Sequence, residues 1–466
     1  MPIKLSLILF FIAVIIKIFA IFYTNFDLFG DEAQYWIWSQ KLDFGYYSKP
    51  PLLPWVMGFF TIIFGGNNFE ILKSLPLIMY FFTAYVVFLI SYELYKNKNL
   101  AFLSAISFYL LPSVTVSSFL ISTDIILIFF WSLSLLFVIR LRKNAKLLNF
   151  SLLGFFLGLS FLAKYAAVYF LLSLIIFIFL DKKLRDVFFK KPLQVVVFLL
   201  SAMVVLFPNI IWNIKNNWLT LNHTSDNAAL NRVDFNLLQG VEFLLIQGVM
   251  VGPLLFWFFI FSVKKIKFSF ESIFLLSFSL PVFFIVTVES VLVRANANWA
   301  AVGLVSFVIL LLNHCYVYGK NIIYINNIIN FIFCFCFYFL ISTTSTYSVF
   351  DRISGVSAFA LELKTFFDSQ DKIILVVEDR LLYSSLKYEY RDSNILLFAP
   401  HDPKSKITSH FHLSSPLPPS FSKNFFYLGD LSQLDYLINK NKKKKIKKRR
   451  EYRFEKTPIN IYEINF

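Results

Sequence analysis

Apolar stretches recur through the first 342 residues, near 5–23, 74–94, 100–112, 121–139, 148–163, 165–180, 193–211, 237–262, 272–288, 299–317 and 322–342, with short basic clusters between them. In lipid such a run satisfies its backbone N–H and C=O groups only by coiling into a helix, and about 20 residues of helix cross the hydrocarbon. The pattern therefore predicts an all-α polytopic membrane protein with about eleven transmembrane helices. Only 15% of residues are charged and the mean hydropathy is +0.67, which excludes an ordinary soluble domain. The net charge of +16 sits in clusters between apolar runs, so it signals topology and not a nucleic-acid surface.

Basic loops stay on the cytoplasmic side of a membrane. With a cytoplasmic N-terminus, Lys96 and Lys98, the clusters 140–146, 182–191 and 264–267, and Lys320 all fall there. The rule also divides the apolar stretch between Lys146 and Lys182 into two passes, with the hairpin turn at Lys164 and Tyr165, which moves that lysine away from mid-membrane. The first run has no small-residue cleavage site and reads as an uncleaved helix. Residues 52–64 are apolar but short, follow Pro50 and Pro51 and contain Pro54; they read as an interfacial helix in the first loop. Bacterial inner-membrane placement follows, with the first loop, 24–73, and the C-terminus outside the cytoplasm.

From residue 343 the composition turns polar, and a helix at 361–368, a strand at 373–377, a helix at 380–390 and strands at 395–398 and 425–428 predict a small α/β extracytoplasmic domain over 343–466. Nine of the eleven residues at 440–450 are basic, a run that reads either as a solvated stretch or as a contact for anionic head groups. Cys315, Cys334 and Cys336 lie in apolar segments and read as small core residues. There is no P-loop, GxGxxG or HExxH, and no internal repeat.

Between the first two spans the chain reads GDEAQYWIWSQ at 30–40 and LDFGYYSKPP at 42–51. Acids, aromatics and a lysine at a membrane surface are what a transferase using a lipid-phosphate sugar needs: a carboxylate for the acceptor proton, a cation for the phosphate, and ring faces for the sugar. The same residues also suit a capped helix, an interfacial aromatic belt and a snorkelling lysine.

The order DEAxYWxWSQ followed by LDxGYYxxPPL resembles the bacterial branch of glycosyltransferase family 39, the protein O-mannosyltransferase-like group that includes the lipid A aminoarabinose transferase. The likeness continues in Ser122-Thr123-Asp124, in 158–165, in 208–213 and in 294–299. The resemblance implies the GT-C fold and an inverting, direct displacement that moves a hexosyl or pentosyl group from a polyprenyl-phosphate sugar to a lipid, glycan or protein acceptor. It implies Asp31 as catalytic base, Glu32 beside it for acceptor or metal contact, and Asp124 as a second acid. Lys49 matches the position that holds the carrier phosphate, and Tyr46, Tyr47, Lys164, Tyr165, Arg294, Asn298 and Trp299 are further donor-binding candidates. Ser48 stands where relatives often carry an acid or histidine, and His223, His314, His401, His410 and His412 offer no ligand set, so no metal is obligatory, although a divalent ion is possible. The competing reading is a transporter or flippase of lipid-linked sugars, which would carry Gly/Pro-broken helices in matching halves; with 14 glycines the chain shows no such symmetry.

Overall fold

The structure, a computed structural model, describes residues 2–228, 233–343, 348–367, 373–438, 445–454 and 457–466. Each apolar run is helical, but the runs are not equivalent. Among the described residues seven helices are long and apolar enough to span a membrane: Ile3–Tyr23, Phe69–Tyr95, Thr123–Lys143, Pro192–Lys215, Phe270–Leu292, Ala297–Tyr318 and Lys320–Thr343. Two further helix pairs, Tyr165–Leu180 with Lys182–Lys190 and Leu237–Val251 with Pro253–Lys265, are sharply bent and bring the number to nine if each pair is one span. The helices Lys98–Leu110 and Leu147–Ala163 fall below spanning length. Eleven full spans are thus more than length and composition support.

The expected single span at 237–262 is broken by 112° between Leu237–Val251 and Pro253–Lys265. Gly252, at φ +99° and packed on the Asn326 amide, precedes a proline that cannot donate into the helix, so both residues favour the break. The break at Lys164 is found as expected: one helix stops at Ala163 and a 3-10 turn starts at Tyr165. In the bundle, Leu147–Ala163 packs between Thr123–Lys143 and Pro192–Lys215, and Phe69–Tyr95 packs on Thr123–Lys143. Cys315 and Cys334 are buried core residues, whereas Cys336 is exposed on the outer face of its helix, contrary to the expectation for it.

The first loop folds into two helices, Gly30–Gln40 and Leu52–Phe64. The C-terminal part is a five-stranded sheet in the order β2-β1-β3-β5-β4, with β1 Ile374–Val377, β2 Leu396–Phe398, β3 Phe425–Leu428, β4 Lys445–Phe454 and β5 Thr457–Asn465. β1 pairs in parallel with β2 and β3, and β5 is antiparallel to β3 and β4. Leu375, Val377 and Leu428 face the helices Val356–Phe367 and Arg380–Glu389, while Val376, Tyr427 and Ile464 line a second core on the other face. The strands β4 and β5 were not foreseen, because β4 reads Lys-Ile-Lys-Lys-Arg-Arg-Glu-Tyr-Arg-Phe and its charges mask a strand pattern. As the terminal strand of the sheet it is where such charges suit the fold, since they oppose edge-to-edge pairing with another chain. The first part of the basic run, 440–444, lies outside the described residues.

Helix Gly30–Gln40 packs against Arg380–Glu389, so the loop and the C-terminal sheet meet. Trp36 and Tyr388 meet edge to face at 5.1 Å, the Tyr388 hydroxyl donates to the Asn67 carbonyl at 3.0 Å, and Asp27 accepts from the Val356 amide at 2.7 Å.

Candidate active site at the first loop

Asp31 and Glu32 occupy the first turn of helix Gly30–Gln40, where the exposed amides favour negative charge. Adjacent residues on a helix point about 100° apart, and here the divergence separates two functions. Glu32 turns inward and is 1% exposed. Its oxygens accept from Lys73 at 2.7 and 2.9 Å, from the Ile121 amide at 2.6 Å and from the Phe29 amide at 2.8 Å. Expected to touch acceptor or metal, Glu32 is instead a buried clamp joining the loop helix to two other segments, with its lone pairs already committed. Asp31 turns the other way, to the C-terminal part: Arg380 donates to it at 2.8 Å and to Gln34 at 3.0 Å. The close approach depends on Gly30, because a Cβ there would stand 2.7 Å from Leu381 Cβ.

A second pair lies deeper. Lys164, at the helix break, donates to Asp124 at 2.7 Å, and Asn298 donates to the other Asp124 oxygen at 2.7 Å. Asp124 opens the helix Thr123–Lys143, and Asn298 belongs to the 3-10 turn Ala297–Ala300. Three candidates from distant parts of the chain therefore form one network.

Lys49 stands in the field of both pairs. Burial, then the like charge of Lys164, lowers its ammonium from the usual lysine value, against the pull of Asp124 and Asp31. No ion pair or hydrogen bond of this ammonium occurs among the described residues, so it is a half-buried cation with donors to spare. Lys49, Lys164 and Arg380 face Asp31 and Asp124, each acid already paired, which leaves the cluster one positive charge in excess.

The loop holding Lys49 is tied down from several sides. Trp212 Nε1 donates to Asp43 at 2.8 Å, Asn209 donates to the Phe44 carbonyl at 2.7 Å, and Thr220 donates to the Tyr46 carbonyl at 2.7 Å. Tyr165 contributes to this support: its hydroxyl donates to Asn209 at 3.0 Å and accepts from Asn213 at 3.1 Å. Tyr46, a candidate for the sugar, is 1% exposed, stacked on Trp38 at 4.5 Å, and donates to the Trp38 carbonyl. Both its faces are covered, so it shapes the loop and presents none to a sugar. Tyr47 is more open and lies 4.9 Å from the His223 ring. Trp299 packs half-buried on the bundle core, whereas Arg294 is exposed and has no ion pair among the described residues.

Three residues near this cluster escaped the sequence reading. Arg380 was assigned only to a helix of the C-terminal part. His223, read from the sequence only as part of no ligand set, lies where burial and then the Lys49 and Arg380 charges push its imidazole below the usual histidine range. His410 packs against Trp38 and Tyr46, and burial lowers it to about 4. No local pattern marks any of them. Among the described residues no three His, Cys, Asp or Glu side chains converge as a metal group would require.

Residues 48–212, which include Lys49, Asp124, Lys164 and Tyr165, match the family described as dolichyl-phosphate-mannose-protein mannosyltransferase. The chain is 28% identical over 414 residues to the lipid A galacturonosyltransferase RgtD of Rhizobium johnstonii, covering 87% of this chain and 86% of that protein. It is also 29% identical over 137 residues, 28% of this chain and 24% of the relative, to the undecaprenyl phosphate-alpha-4-amino-4-deoxy-L-arabinose arabinosyl transferase of Wigglesworthia glossinidia brevipalpis. Crystal structures of ArnT from Cupriavidus metallidurans align with TM-scores of 0.68 in the apo state and 0.66 bound to undecaprenyl phosphate, over 98% of this chain and 97% of each, at 10% and 11% identity. The fold is that of the GT-C membrane transferases, and the resemblance to the protein O-mannosyltransferase-like group stands on these matches together.

Proposed function

We propose that this multi-pass membrane glycosyltransferase of the protein O-mannosyltransferase-like group takes one sugar from a polyprenyl-phosphate carrier and sets it on a lipid acceptor, with Asp31 as base and Lys49 on the phosphate. The observation that carries the reading is Lys49: a partly buried ammonium with no ion pair among the described residues, on a loop tied down by several hydrogen bonds, is costly to keep unless an anion comes to it. In the displacement, the acceptor oxygen bonds to the anomeric carbon while the carbon–oxygen bond to phosphate breaks. The acceptor proton passes to Asp31, and the lysine meets the charge left on the carrier phosphate. Arg380 sets the Asp31 carboxylate in place, and the Asp124–Lys164–Asn298 network fixes the second acid and its lysine beside Lys49.

The sugar we infer is a hexosyl residue bearing an acid group. The two ion pairs balance and Lys49 adds a surplus positive charge, which an acidic sugar meets and a cationic aminopentose would be repelled by. The name of the relative that matches nearly the whole chain agrees with this. We divide the chain into a transferase part, 1–342, and a C-terminal part, 343–466, and place both the site and the C-terminal part on the side opposite the basic loops, outside the cytoplasm at the bacterial inner membrane.

The test is transfer of radiolabel from a polyprenyl-phosphate uronic acid to a lipid A acceptor by the purified protein in detergent. Transfer that disappears in Asp31→Asn supports the reading. Movement of the labelled lipid across vesicles without transfer would instead support a flippase.

A further inference from the structure

The segment after the helix that crosses at 165–180 turns by 105° into a second helix, Lys182–Lys190. Its sequence, KKLRDVFFK, is amphipathic: Leu184 is fully buried, and Phe188 packs on Phe150 at 5.7 Å and on Phe198 at 6.3 Å. Phe189 and Leu193 are 71% and 69% exposed, as are Phe179 and Leu180 at 64% and 60% on the preceding helix. A short helix at right angles to a span, with exposed aromatic and aliphatic side chains beside lysines, has the form of one lying at the boundary between head groups and acyl chains.

Beside it is a cavity of about 590 Å³ lined by Arg142, Asp181, Lys182, Lys183, Lys190 and Lys191 among others. The internal pairings define what it offers. Arg142 binds both Asp181 oxygens at 3.0 Å, its guanidinium lying 3.7 Å from the Phe270 ring, and this fixes the wall. Lys190 pairs with Asp186 at 3.3 Å. Lys182, Lys183 and Lys191 have no acidic partner among the described residues, and Lys191 donates to the Ala145 carbonyl at 3.3 Å. Five cations against two acids leave a net charge of +3 on the lining.

We infer that this cavity binds the phosphate head group of an anionic phospholipid of the adjacent leaflet, with the three unpaired lysines on the phosphate and the exposed phenylalanines against its acyl chains. The side of the membrane rests on the topology proposed above; the binding chemistry does not. A phospholipid is favoured over a soluble anion because cations and exposed apolar side chains adjoin on the same bent segment, and a free phosphate would use only the first. The site lies on the basic-loop side, away from the Asp31 and Lys49 cluster, and would anchor the helix pair that carries Lys164 at its other end.

The experiment compares the whole protein in nanodiscs of phosphatidylcholine alone and of phosphatidylcholine with phosphatidylglycerol, reading thermal stability and the lipid retained in native mass spectra. Phosphatidylglycerol is expected to raise stability and to remain bound. K182Q/K183Q/K191Q is expected to weaken that binding by roughly a hundredfold, from about fivefold for each lysine near a charged surface. K264Q/K265Q, on a different basic loop, is the control and is expected to retain it. Equal phosphatidylglycerol retention in the triple variant and the control would overturn the proposal, as would an equal stabilisation by inorganic phosphate in phosphatidylcholine alone. Should the triple variant fail to fold, the single variant K183Q gives the same comparison. Transfer activity is not the readout, so failure here is distinguishable from failure of the catalytic reading.

Discussion

Arg380 grips Asp31 at 2.8 Å across a separation of 349 residues, so the C-terminal part places a side chain directly on the acid of the first loop. The contact is partly open, with side-chain exposures of 41% for Arg380 and 35% for Asp31, which leaves a carboxylate oxygen accessible to an acceptor hydroxyl. An exposed pair of this kind contributes little to stability, so its value lies in positioning.

Asp31→Asn keeps size and shape but loses basicity, and is expected to lower turnover by about a hundredfold to ten-thousandfold with donor binding retained. Arg380→Gln is expected to give a smaller loss in kcat, and Gly30→Ala to mimic it by pushing Leu381 away. Initial rates and donor binding on the three purified variants check this; a near-normal rate for Asp31→Asn would move the base to another residue.

Lys49→Ala is expected to weaken donor binding, because it removes a charge that meets phosphate in both the ground and transition states. The pH dependence follows from its lowered ammonium. Donor affinity should fall as pH rises through that depressed value, below 10.5, since only the charged form holds phosphate. For the free protein the sign is opposite: the unfolded lysine binds its proton to higher pH than the folded one, so this group adds stability between the two values as pH rises. Calorimetric titration of the donor across alkaline pH, paired with unfolding curves, separates the two effects.

Glu32→Gln is expected to damage folding more than chemistry. Removing one charge from the Glu32–Lys73 pair, exposed 1% and 0%, strands the other inside the bundle at a cost of about 3–5 kcal/mol. Thermal unfolding in detergent should shift strongly, while the fraction that folds should turn over at close to the normal rate. A stable variant without activity would restore Glu32 to the chemistry.

Cysteine labelling tests the orientation. A probe at exposed Ser420 is expected to react in intact cells, and one at exposed Lys183 only after the inner membrane is breached. The reverse pattern would invert the topology.

Much of the architecture was already legible along the chain, because hydropathy and loop charge act locally. The apolar runs, the interfacial helix Leu52–Phe64, the helix break at Lys164 and the first three strands each follow from a short stretch of residues. The loop motif singled out Asp31 and Lys49 for the same reason, as a cluster of unusual residue types near an apolar boundary, whereas Asp124 came only from the family resemblance. Their relationships were not legible. Asp31 and Glu32 are neighbours in the chain, yet one meets Arg380 and the other Lys73, because the helical rotation between them is decided by which face packs inward. Nor does any local pattern reveal that Asp124 is bonded to Lys164 and Asn298 while Lys49 has no partner among the described residues. Ion pairing depends on distances of a few ångströms between segments far apart in the chain, and only the packed bundle and the C-terminal sheet docked against it bring those segments within reach.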